Sequence, residues 1–143
     1  MRRLLLTLAA VAAIAAPAAS TGTASNAPLQ VDFVKHVVDP ATLTFAGTTS
    51  GAVTGDLTTF VSVTDVSGPI IHMTVVWIVS AGAESFTART DGTWNTVTGQ
   101  VVLNGSVVSG YLSGAQVHEE GHLLDPATLT FAGVLQLMPG TAD

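Results

Sequence analysis

The chain has 143 residues and a formal net charge of −6, and only 10% of its residues are charged. This acidic balance argues against nucleic acid and anionic membrane surfaces as partners, because the chain has too few cations to neutralise phosphates. It contains no cysteine, which excludes disulfides and a lipid anchor on cysteine.

The first 18 residues have the features of a secretory signal peptide. Two arginines precede an apolar run over residues 4–16, and Ala16-Pro17-Ala18 offers small residues where a signal peptidase cleaves. The run is shorter than the roughly 20 residues that span a bilayer. We therefore expect a secreted, extracellular protein without a membrane span. Its mature chain would carry Lys35 and Arg89 against ten acidic residues, a formal charge of −8.

The remainder divides into a lead-in and one domain. Residues 19–28 are small and polar and predict a disordered lead-in, whereas residues 29–139 predict a single β domain. Alternating or continuous apolar residues bounded by turn residues predict short strands, and no segment carries a helical period. The predicted strands cover residues 29–38, 51–65, 70–80, 84–90, 100–103, 106–112, 115–124 and 127–138, and a further strand follows the turn at residues 39–40 and ends at Gly47. We predict an all-β fold, a small antiparallel barrel of about eight strands following the signal peptide.

One motif of twelve residues occurs twice, as HVVDPATLTFAG at residues 36–47 and as HLLDPATLTFAG at residues 122–133. In each copy an Asp-Pro pair predicts a tight turn between two strands. Leu43 and Phe45 share one face of the strand after the turn, as do Leu129 and Phe131. We therefore predict that the two copies form equivalent ends of a closed barrel and point these side chains into one core.

Glycine-containing dipeptides predict two hairpins. Asn104-Gly105 supplies the positive φ angles of a two-residue type I′ turn, so replacing Gly105 by Val should cause strain. Asp91-Gly92 is a second hairpin signal. The run at residues 70–80 is apolar on both parities, which predicts a strand covered on both faces.

Three polar residues follow one another on the same face of a predicted strand: His118, Glu120 and His122. Two imidazoles and a carboxylate in this arrangement can converge on a metal ion. The alternative, which we favour, is that Val117 and Leu123 face the core and the three polar residues face water. We expect no bound cofactor.

Four residues are candidates for the lining of a ligand pocket: His72, Trp77, Trp94 and Tyr111. An eight-stranded barrel has room for packed side chains or one small ligand, so each aromatic residue belongs either to the core or to a pocket. His72 lies in the most apolar strand, as a structural histidine or as a polar group on a cavity wall. No nucleophile elbow and no phosphate-binding glycine loop is present, so no catalytic residue is assigned.

Residues 109–117 (SGYLSGAQV), with Gly121 beyond them, resemble the Gly-x-x-x-Gly-Ala segment of the allene oxide cyclase and dirigent barrel superfamily. The resemblance implies an eight-stranded barrel with an apolar pocket, often oligomeric, that acts on or steers hydrophobic small molecules. Residues 92–95 (GTWN) separately resemble the Gly-x-Trp start of lipocalin and avidin barrels. The alanine-rich signal and the Thr/Gly/Val-rich body resemble secreted bacterial proteins.

Three functions remain open. The leading hypothesis is a secreted, non-catalytic β-barrel protein that binds an apolar small molecule or a protein partner, as a monomer or an oligomer. The second is an enzyme of the barrel cyclase or isomerase type that acts on a hydrophobic substrate. The third is a metal-binding protein that uses His118, Glu120 and His122.

Overall fold

The computed structural model describes residues 27–139, so the predicted signal peptide at residues 1–18 and most of the predicted lead-in at residues 19–28 lie outside it. The eight strands are β1 (Leu29–Asp39), β2 (Thr44–Gly51), β3 (Gly55–Ser67), β4 (Ile70–Ser80), β5 (Phe86–Asn95), β6 (Gln100–Gly110), β7 (Gln116–Asp125) and β8 (Thr130–Met138). Each pairs antiparallel with the next, and β8 pairs with β1 to close the barrel. The predicted all-β antiparallel barrel of eight strands is confirmed. Within residues 27–139, no helix is long and apolar enough to cross a membrane.

The two ends of the barrel are packed differently. We call the end with the turns that follow Asp39, Ser67, Asn95 and Asp125 the open end, and the opposite end the closed end. Inward side chains fill the closed half. The largest fully buried ones there are Val31, Val53, Leu57, Val79, Val107, Val117, Leu135 and Leu137. Side chains alternate between the two faces of each strand. The buried residues of the closed half therefore determine which residues of the open half point into the barrel.

The two motif copies form nearly identical turns at the open end. Asp39 Oδ1 accepts a hydrogen bond from the backbone N–H of Ala41 at 3.0 Å, and Asp125 Oδ1 accepts one from Ala127 at 2.9 Å. Two threonine hydroxyl groups also form a hydrogen bond in each copy. Their Oγ1 atoms are 2.7 Å apart in Thr42 and Thr44 and 2.6 Å apart in Thr128 and Thr130. Since β1 pairs with β8, the two turns lie side by side.

The hydrophobic residues of both copies point into one core, as predicted. Phe45 and Phe131 are buried, and their rings meet edge to face with centroids 5.9 Å apart. Leu43 and Leu129 pack against the same core, but they belong to the turns and have positive φ angles of 54° and 50°. The left-handed conformation is unfavourable for Leu, so inward packing of both side chains must offset local strain.

The prediction of two hairpins at Asn104-Gly105 and Asp91-Gly92 is wrong. Asn104-Gly105 lies within β6 and Asp91-Gly92 within β5, and none of these four residues has a positive φ. The chain turns instead between β5 and β6, where Asn95 Oδ1 accepts the backbone N–H groups of two residues of the turn at 2.9 Å and 3.1 Å.

Close approach of neighbouring strands explains why these positions are glycine. A Cβ atom on Gly105 would overlap the carbonyl oxygen of Arg89 in β5, and one on Gly92 would overlap that of Val102 in β6. A glycine inside a strand often marks such an approach or a tight bend in a barrel.

The strand at residues 70–80 is also less covered than predicted. Its inward residues from Met73 to Val79 are buried and Ile71 is half-buried, whereas Ile78 on the outer face is 37% exposed. The described chain itself therefore covers the outer face only in part, and cover by a partner stays a prediction.

We expect Gly105→Ala to lower the free energy of unfolding by about 2 to 3 kcal/mol, because the new methyl group meets a backbone oxygen that cannot turn away. Gly68→Ala is the matched control. Gly68 has a φ of 61° but no atom within 4 Å of the added Cβ, so only conformational strain of about 1 kcal/mol is expected. Urea denaturation measures both variants. Equal losses would contradict the role of close approach at Gly105.

Candidate functional site

The open half of the barrel contains a cavity of about 220 Å³. Side chains around it are hydrophobic except for two, Lys35 and Glu119. Leu43, Leu129 and the 46%-exposed Val63 lie nearest the open end and surround the mouth of the cavity. The motif turns therefore stand beside the entrance.

Lys35 reaches the cavity from β1, where it has the same parity as the buried Phe33. Its side chain is only 7% exposed. The ammonium group donates a hydrogen bond to Thr59 Oγ1 at 3.2 Å, and Nζ lies 4.3 Å from the centroid of the Trp77 ring and 5.0 Å from that of Phe45. Aromatic faces attract a cation and so replace part of its lost hydration.

Glu119 reaches the same cavity from β7 and is 2% exposed. Its Oε1 atom is buried without a hydrogen-bond partner. The neighbouring inward position is Gly121, and a Cβ atom there would overlap Glu119 Oε2. The missing side chain at Gly121 thus provides the space that the carboxyl group occupies. An unpartnered buried oxygen is costly and is rare in folded proteins unless a ligand or proton satisfies it.

Burial shifts the pKa values of both groups towards their neutral forms. Burial raises the pKa of the Glu119 carboxyl from 4.5 to about 8, an effect that the charge of Lys35 opposes. Burial likewise lowers the pKa of the Lys35 ammonium from 10.5 to about 8, against the attraction of Glu119. The two side chains do not form an ion pair within 4.0 Å. Near neutral pH the cavity therefore offers a protonated carboxyl group and an amine that readily loses its proton, a combination typical of functional sites.

Two tryptophans complete the polar lining. Trp77 Nε1 donates a hydrogen bond to Thr90 Oγ1 at 2.9 Å, and this bond fixes the indole beside Lys35. Trp94 Nε1 is buried without a partner. The lining thus contains an unmatched donor as well as the unmatched acceptor on Glu119.

Two of the four residues predicted to line a pocket lie at the cavity, namely Trp77 and Trp94. His72 and Tyr111 do not. His72 follows Ile71, which lines the cavity, so the alternation of β4 turns its side chain outward. Tyr111 lies at the closed end, in the turn after β6, where its backbone N–H bonds to Ser85 at 2.9 Å. The two residues therefore do not belong to the lining.

The predicted metal ligands are on the outer face of β7. Val117 is buried and Leu123 packs against the core, so the favoured inward and outward assignment is confirmed. His118 Nε2 lies 2.9 Å from Glu120 Oε2, while its Nδ1 lies 2.6 Å from Asn104 Oδ1.

The third predicted ligand, His122, is not part of this pair. In residues 27–139, no three His, Asp or Glu side chains are grouped so that they could hold a metal ion. The outer face of β7 therefore presents a histidine–carboxylate pair beside a separate histidine.

Lys35 and Glu119 were missed as site residues, although the alternation that places Phe33 and Val117 inward also places these two inward. The sequence signal for both was a charged residue at a position where the alternation places apolar side chains in the core.

A scan against protein-family models and searches of curated proteins and of solved structures found no match to this chain.

Proposed function

We propose that this protein is a secreted, non-catalytic β-barrel that binds a small apolar molecule in the cavity at its open end. The observation that carries the proposal is the uneven packing of the interior. The closed half is filled, whereas the open half retains about 220 Å³ behind a hydrophobic lining. Because unfilled volume in a core lowers stability, a barrel that only needed to fold would be better served by larger side chains there.

The size of the cavity limits the ligand. A dry cavity of about 150 Å³ holds benzene, with its six carbon atoms. In proportion, the volume of about 220 Å³ here has room for about nine carbon atoms. The ligand class that fits is a monocyclic or small bicyclic molecule with little polar surface.

The likeness of residues 109–117 to the allene oxide cyclase and dirigent barrels supports a pocket for hydrophobic molecules. One observation favours the second hypothesis, a cyclase or isomerase-type enzyme: ionisable groups, Lys35 and Glu119, lie in the cavity. The two hypotheses differ in outcome, since an enzyme converts the bound molecule and a binding protein releases it unchanged.

Tryptophan fluorescence tests the proposal, because the chain has two tryptophans and both line the cavity. Titration with propylbenzene should change the emission in a saturable way. Val101→Phe should weaken binding at least about tenfold, because Val101 lines the cavity and the larger ring occupies ligand volume.

Val108→Phe is the matched control, on the same strand but 53% exposed on the outside, and it should bind propylbenzene like the wild type. Equal affinities of all three proteins, or no saturable change in the wild type, would refute binding in the cavity.

A further inference from the structure

We propose that Lys35 captures an aldehyde or ketone in the cavity as a reversible imine, with the Glu119 carboxyl group carrying the protons. This inference rests on the proposed function and specifies its ligand class as small apolar carbonyl compounds.

The first support is the placement of the amine. Lys35 is the only lysine in the 143-residue sequence, and it is buried in an apolar cavity, where lysine is rarely found. It is not held there by an ion pair, because no carboxylate of the described residues lies within 4.0 Å of Nζ. Its hydrogen bond goes to the neutral hydroxyl of Thr59. The nitrogen therefore faces the ligand space without a permanent charged partner.

The second support is the carboxyl group across the same cavity. Glu119 Oε1 has no partner, and the carboxyl is too far from Nζ to pair with it directly. A carbonyl group placed between them would present its carbon to the amine and its oxygen to a proton donor. Trp94 Nε1, also without a partner, is a second donor on the lining.

The chemistry of the lining selects a neutral ligand with one electrophilic carbon. A charged ligand would lose its hydration in this lining, where Lys35 and Glu119 are the only ionisable side chains, whereas a neutral ligand would not. An aldehyde or ketone adds no charge and reacts with a neutral amine. Burial lowers the pKa of Lys35 and so increases the share of that neutral form. The apolar walls also limit the water that would hydrolyse the product.

The reaction balances without any further reagent. The Nζ lone pair bonds to the carbonyl carbon, the π bond of C=O breaks, and the oxygen takes the proton of Glu119. The nitrogen then loses one proton, which the new hydroxyl group relays to the Glu119 carboxylate, leaving a neutral carbinolamine. Glu119 protonates the hydroxyl group, the C–O bond breaks and water leaves as the C=N bond forms. The departing water relays the iminium proton to Glu119, so the carboxyl group is regenerated and the net products are imine and water.

Borohydride trapping tests this inference at about pH 8, where Lys35 is partly neutral. After incubation of the wild-type protein with hydrocinnamaldehyde and reduction, the peptide that contains Lys35 should gain the mass of one aldehyde less one oxygen atom. Peptide mapping should place the adduct on Lys35, with the chain's N-terminal amine as the internal reference. Hydrocinnamyl alcohol, which has the same skeleton without the carbonyl group, should give no adduct.

Variants separate the two roles. Lys35→Met should lose the adduct, and Glu119→Gln should slow its formation at least about tenfold, because the amide cannot carry the proton. Glu84→Gln, the same change between β4 and β5 at the closed end and outside the cavity lining, should react at the wild-type rate.

Propylbenzene distinguishes failure of this inference from failure of the proposed function. If the wild type binds propylbenzene but hydrocinnamaldehyde labels only the N-terminal amine, the imine is refuted and the binding function stands. If neither compound enters, both are refuted. The peptide map of the wild type decides the matter even where a variant does not fold.

Discussion

The free energy of unfolding of the wild-type chain is expected to pass through a minimum near pH 8. Glu119 holds its proton in the folded state up to about pH 8, mainly because of burial, whereas its ordinary pKa is 4.5. Between these values the unfolded chain binds fewer protons than the folded one, so stability falls as pH rises. Lys35 has a folded pKa of about 8 against 10.5. Between those values the unfolded chain binds more protons, so stability rises again.

Each side of this minimum has a slope of at most about 1.4 kcal/mol per pH unit. The fall on the acid side should therefore amount to a few kcal/mol, with a smaller rise on the alkaline side. Lys35 and Glu119 also act on each other's pKa through their charges. The negative charge of Glu120, on the outer face of β7, raises the pKa of Glu119 further.

Two variants assign the two sides of the minimum. Glu119→Gln should remove the fall between about pH 4.5 and 8, and Lys35→Met should remove the rise above about pH 8. Urea denaturation at a series of pH values measures the profile. A maximum near pH 8, or variants whose profiles match the wild type, would show that these groups are not buried as described.

Phe131→Ala is expected to lower the free energy of unfolding by about 3 to 5 kcal/mol. The ring is 6% exposed and packs edge to face against Phe45 and against Trp94, with centroids 5.9 Å and 5.3 Å away. Since Phe131 also lines the cavity, its removal should enlarge the binding space and favour a bulkier ligand than propylbenzene.

Phe60→Ala provides the control for this change. Phe60 is 44% exposed on the outer face of β3, so the same truncation should cost less than about 1 kcal/mol. Denaturant titration of both variants gives the comparison. A loss below about 1 kcal/mol for Phe131→Ala would contradict its place in the shared core.

Much of the fold follows from local sequence chemistry. The repeated Asp-Pro motif predicted two equivalent turns, and the structure reproduces them down to the Asx hydrogen bonds of Asp39 and Asp125. Alternation also predicted that His118 and its polar neighbours face outward. These features depend on contacts between residues close in the chain, which a sequence shows directly.

The hairpin errors have a different physical origin. Asn104-Gly105 carries the residues of a tight turn, but glycine also permits close strand approach, and the barrel uses it for that purpose beside Arg89. A dipeptide alone cannot distinguish a positive φ from a missing Cβ. The distinction depends on the neighbouring strand.

The site was the least predictable part, because its geometry joins distant segments. Lys35 is surrounded by aromatic rings from β1, β2 and β4, and the room for the Glu119 carboxyl comes from Gly121. Charged residues usually face water, so their parity alone gave little reason to place them inside. Closure of the barrel brings them to one cavity.

A crystal structure of the protein under xenon pressure tests the central claim, an apolar cavity ready for a ligand, most directly. Xenon enters dry apolar cavities. We expect xenon density in the open half of the barrel, bounded by Trp77, Leu103 and Phe131, with the closed half unchanged. Side chains collapsed into that space, or ordered water filling it without xenon, would contradict the account.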